Sequence, residues 1–134
     1  MSARLRRILR WALAVFFVAA GTNHFINPEL YVAVIPPILP APRALVFISG
    51  FAEIVGGMAV LLPSFRKLAG WGLVILLIAV FPANIYMAME ELKIGAQMVP
   101  PWVLWTRLPL QLVLIGWVWV ACHDGKRDEL RPQK

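Results

Sequence analysis

Arg107 and Gln111 stand four residues apart in the stretch "RLPLQ", inside the last apolar segment of the chain. A spacing of four puts both side chains on one helix face. Pro109 lies between them and removes a backbone donor, so the carbonyl of Trp105, four residues earlier, is free to accept a bond within the bundle. Pro82 and Asn84 repeat this arrangement in the preceding apolar segment and free the carbonyl of Ile78. Ser49, Glu53 and Gly57 recur every four residues in a third segment, with Gly50 and Gly56 alongside, and Asn23 and His24 close the first. Ionisable groups in hydrocarbon are costly and face a bundle interior, so His24, Glu53, Asn84, Arg107 and Gln111 form the candidate polar cluster. Asn23, Ser49 and Tyr31 are secondary members.

A buried Glu53 must be protonated or meet a cation. Arg107 stays charged and needs an acceptor, so an Arg107–Glu53 pair bridged by Gln111 or Asn84 is the simplest expectation. Three kinds of chemistry fit such a cluster. It is a clamp that only fixes helix register, a pocket for a small amphipathic molecule, or a proton or ion path. Conduction is the least favoured, because the inner half of the segments offers almost nothing polar to continue the path. A metal site would rest on His24 and Glu53 and little else, which is poor ligation. Two-histidine haem ligation is excluded because His123, the other histidine, sits at the opposite end of the last segment.

The elements that position these residues follow from composition. Of 134 residues, 60% are hydrophobic and 15% charged, and the mean hydropathy is +0.75. A soluble domain is nearer about half apolar and a quarter charged. Four segments reach the roughly 20 residues a transmembrane helix requires: Ile8–Phe25, Ala44–Leu62, Leu68–Met89 and Trp102–Ala121. Their apolar pattern is helical or continuous rather than alternating, which argues against a β-barrel. The expectation is a single all-α domain over residues 1–134, an integral membrane four-helix bundle followed by a tail at 122–134.

The basic start "SARLRRILR" followed by "WALAVFFVAAG" has the look of a signal peptide. Apolar character continues past the candidate cleavage site to Phe25, which favours retention. With four spans, ten of the thirteen basic residues fall on one side, leaving Arg43, Lys93 and Arg107 for the other. Such an imbalance makes that side cytoplasmic and puts both termini there. The net charge of +6 is therefore a topology signal. No continuous basic face with interleaved aromatics suggests nucleic acid. A lone cysteine, Cys122, rules out a dithiol mechanism within one chain and reads as a buried filler.

All the candidate polar residues fall in the outer half of their spans, by the helical rise of about 1.5 Å per residue. The outer loop above them, "INPELYVAVIPPILPAPR", is apolar but interrupted by Pro28 and four prolines between Pro36 and Pro42. Such a segment either caps the bundle or anchors at the headgroups through Tyr31. Trp11, Trp71, Trp102 and Trp105 lie near span ends, as an aromatic belt requires, while Trp117 and Trp119 pack or face lipid. Gly56, Gly57 and lipid-facing tryptophans are compatible with a homo-oligomer.

Taken together in order, "GTNHFINPELYVAVIPPILP", "SGFAEIVGGMAVLLP", "FPANIYMAM" and "RLPLQ" resemble the small DoxX-like membrane proteins of bacteria. The likeness runs from Gly21 to Trp117. It implies a four-span protein of the bacterial inner membrane whose motif positions here include His24, Glu53, Asn84, Arg107 and Gln111. Relatives in the wider group are linked to quinone-coupled oxidation and to membrane redox and stress-response complexes. The resemblance thus implies a binding or accessory subunit, with quinone as the candidate ligand and an oxidoreductase as the candidate partner. No catalytic residue is assigned. The alternatives are a purely structural membrane protein and a small transporter.

Overall fold

The computed structural model describes residues 1–90, 93–94, 97–98 and 100–123. The tail from 124 to 134, with Lys126, Arg127, Arg131 and Lys134, lies outside the described residues, as does Glu91. Four long helices form the body: α1 (Ala3–Ile26), α3 (Pro42–Ala59), α4 (Arg66–Glu90) and α5 (Pro101–His123), with a short α2 (Pro28–Val32) in the first loop. Each long helix contains a segment long and apolar enough to cross a membrane, the makeup of a multi-pass membrane protein. Between α4 and α5 two short strands, β1 (Lys93–Ile94) and β2 (Gln97–Met98), pair antiparallel, with Lys93 opposite Met98 and Ile94 opposite Gln97.

Helix limits follow local chemistry. Ser2 caps α1 by accepting from the Leu5 amide at 3.2 Å. The helix therefore begins five residues before the expected span, since arginine, leucine and alanine are good helix formers. Its last turn ends at Asn27 because Pro28 cannot continue it. α3 opens on Pro42, a favoured first-turn residue, preceded by Ala41 in the left-handed region at φ 48°. It stops at Ala59, three residues short of the expected Leu62, as the chain turns toward Pro63. Pro82 and Pro109 lie inside α4 and α5.

α1 packs closely on α3, and α4 on α5. The first pairing depends on small residues, as the spacing of Gly50 and Gly57 suggests. A Cβ at Gly21 would lie 2.5 Å from the Gly50 carbonyl oxygen, and one at Gly50 would lie 2.7 Å from His24 Cβ. The bundle is divided along its length. Toward the end where α1 begins, Leu13, Phe17, Val60, Leu73, Val118 and Ala121 fill the interior. Cys122 is buried among them as the expected filler. Toward the loop end the interior opens into a cavity.

The arginines counted as topology signals at the amino-terminal end of the bundle also make contacts within the protein. Arg10 Nε donates to the Ala121 carbonyl at 2.8 Å and Arg66 Nε to the Val60 carbonyl at 3.1 Å. Both acceptors belong to helix C-terminal turns, whose carbonyls lack helical donors. Arg6 is also buried, at 8% exposure. His123 stacks on Trp119 with ring centroids 4.2 Å apart.

Candidate ligand-binding cavity

A cavity of about 360 Å³ lies between the helices at the loop end. His24 from α1, Glu53 from α3, Asn84 from α4, and Arg107 and Gln111 from α5 all line it, together with Tyr31 from the loop. The five main candidates of the sequence therefore share one space. Asn23 and Ser49 stand behind it. Asn23 Nδ2 donates to the Tyr31 hydroxyl at 2.6 Å, and Ser49 Oγ lies 3.2 Å from His24 Nδ1.

The start of the first loop folds against the end of the bundle. Tyr31 lies over the His24 ring with centroids 3.8 Å apart, and Arg43 at the start of α3 forms an ion pair with Glu29 on α2. Tyr31 and Val34 thereby join the cavity lining.

The wall formed by α1 and α3 holds a directed pair. His24 Nδ1 lies 3.0 Å from the Val46 carbonyl oxygen. A carbonyl only accepts, so Nδ1 carries a hydrogen and Nε2 is turned to the carboxyl group. The Nε2–Glu53 Oε2 separation is 3.6 Å, a contact longer than a hydrogen bond. Glu53 Oε2 is buried and has no hydrogen-bond partner.

The wall formed by α4 and α5 divides differently. Gln111 is 3% exposed and satisfied at both ends of its amide: Asn84 Nδ2 donates to its Oε1, and its Nε2 donates to the Leu77 carbonyl. That carbonyl is one residue before Ile78, the acceptor expected from Pro82. Gln111 thus joins α5 to α4. Replacing Gln111 with leucine is expected to lower stability by about 1 kcal/mol, since interhelical hydrogen bonds in membranes are individually modest. A denaturing-detergent titration of the purified variant measures it.

Arg107 departs from expectation. Its guanidinium donates to Met87 Sδ at 3.7 Å, and among the described residues it forms no ion pair. The Arg107–Glu53 pair is therefore absent. The physical reason is that the tight α1–α3 pairing brings a closer partner, His24, to Glu53, while Arg107 belongs to the α4–α5 pair. Sequence reasoning missed Met87, which is 2% exposed and lies against the arginine. It also missed the backbone acceptors of Val46 and Leu77. An apolar side chain in an apolar helix carries no signal for either role. Phe17, Leu77, Val80, Leu110 and Leu114 complete an apolar lining.

Fold and site together define a four-helix membrane bundle with a mixed-polarity cavity at one end. The chain matches the family described as a domain of unknown function (DUF8561) over residues 13–122, and it belongs to that family. The matched span contains every residue that lines the cavity. No curated protein and no solved structure matches the chain.

Proposed function

We propose that this chain is a binding or accessory subunit whose cavity takes a small amphipathic molecule with acceptor oxygens. One observation carries this reading. The buried Glu53 Oε2 without a hydrogen-bond partner and the Arg107 guanidinium, which forms no ion pair among the described residues, line the same largely apolar space. Buried polar atoms are nearly always satisfied, so an unsatisfied one beside a cavity is a reason to look for a ligand. A quinone suits this lining, because its ring matches the apolar walls and its carbonyl oxygens accept from Arg107 or from a protonated Glu53–His24 pair. The resemblance to DoxX-like proteins supports the same ligand class. It also supports service to a partner oxidoreductase and residence in a bacterial inner membrane. The charge imbalance favours cytoplasmic termini, with the cavity toward the opposite face.

The test is to extract small molecules from protein purified in native lipid and identify them by mass spectrometry. Wild-type protein is expected to carry a quinone-class molecule, and Glu53→Gln at least about tenfold less, equivalent to about 1.4 kcal/mol of binding. Wild-type protein with no such molecule, together with unchanged quinone reduction in membranes carrying Glu53→Gln, would overturn the reading. The structural alternative has its own support in Gln111, whose amide is satisfied within the protein. In that reading the cluster holds helices together and nothing more.

A further inference from the structure

We infer that a phospholipid with an anionic headgroup binds in a groove between α1 and α5. The groove has a volume of about 720 Å³ and lies on the outside of the bundle. Ile8, Trp11, Val15, Phe16 and Trp117 make it apolar, and Arg7 stands at one end. Phe16 alone lines both this groove and the polar cavity.

Contacts within the protein shape the groove. Trp117 Nε1 donates to the Leu9 carbonyl at 3.2 Å, and the Phe16 and Trp117 rings lie 6.2 Å apart. Residues 7 to 15 span about 12 Å along the helix, most of the roughly 15 Å hydrocarbon depth of one leaflet. An acyl chain running along α1 is thus matched in both direction and length.

The arginines give the occupant its charge. Arg10 is bonded to Ala121 and Arg6 to the Met1 carbonyl, so both are turned to the protein. Arg7 and Arg4, one turn earlier on the same face, are exposed and form no ion pair among the described residues. Guanidinium groups bind phosphate oxygens through paired hydrogen bonds. Two of them at the headgroup end of an apolar groove complement an anionic phospholipid. A second copy of this chain fits less well. A two-fold dimer through this face would set four arginines at one membrane level.

Native mass spectrometry of the full chain in mild detergent tests this, titrating dioleoyl phosphatidylglycerol against dioleoyl phosphatidylcholine. The wild type is expected to prefer phosphatidylglycerol by roughly tenfold. Arg4→Gln with Arg7→Gln should reduce the preference to about twofold or less. Ala12→Phe, at an exposed lining position, should fill the groove and weaken binding of both lipids. Circular dichroism checks that each variant remains helical. Equal affinities in the wild type overturn the inference, as does a preference that survives loss of both arginines. Undiminished lipid binding by Ala12→Phe would put the lipid elsewhere. A dimer that excludes lipid would assign the groove to a second copy.

Discussion

Gly50→Leu is expected to cost about 3 kcal/mol or more and to separate α1 from α3. A Cβ there meets His24 Cβ at 2.7 Å and the Gly21 carbonyl oxygen at 2.9 Å. Backbone cannot rotate aside as a flexible side chain can, so the helices themselves must move apart. In hydrocarbon, helix pairs are held by close packing rather than by a hydrophobic driving force. Widening this contact therefore removes most of what joins α1 to α3. The same displacement carries His24 away from Glu53 and opens the cavity wall. Unfolding in a denaturing-detergent titration should reveal the loss. Gly72→Leu and Gly116→Leu are the controls, since an added Cβ at either position meets nothing within 4 Å. Each should stay within about 0.5 kcal/mol of wild type. Equal damage from all three would mean that glycine content, rather than the α1–α3 contact, governs stability.

The sequence made the cavity's membership legible, but not its pairings. Membrane helices have few places to put a polar side chain, so Glu53, Asn84, Arg107 and Gln111 could be assigned to one interior by depth and helical phase. Partner choice depends on distances between helices, and spacing within one helix contains no such information. Glu53 and Arg107 were natural partners by charge, yet Gly21 and Gly50 bring His24 nearer. The arginines of α1 illustrate a second limit. Their number was read only as a topology signal, whereas the structure shows that Arg10 reaches across to the end of α5. Proline positions told where helices begin and bend. They did not tell that Gln111 would reach the Leu77 carbonyl instead of Ile78.

Glu53→Leu is expected to abolish ligand retention while leaving the bundle as stable as wild type, or more stable by about 1 kcal/mol. Leucine is close to glutamate in size, and the substitution removes a buried oxygen that has no hydrogen-bond partner. Desolvation of that group opposes folding, so its removal offsets the lost 3.6 Å contact with His24. A residue kept only to fix helix register should behave in the opposite way, with stability falling and no ligand to lose. Double-mutant cycles separate the two. Glu53→Leu and Arg107→Met should combine additively, within about 0.5 kcal/mol, because the two side chains are not paired. Glu53→Leu and His24→Leu should instead show a coupling above that level. Strong coupling between Glu53 and Arg107, with a destabilised Glu53→Leu, would restore the clamp. Additivity there, with ligand retention lost at unchanged stability, means that Glu53 is held in the membrane for the molecule it meets.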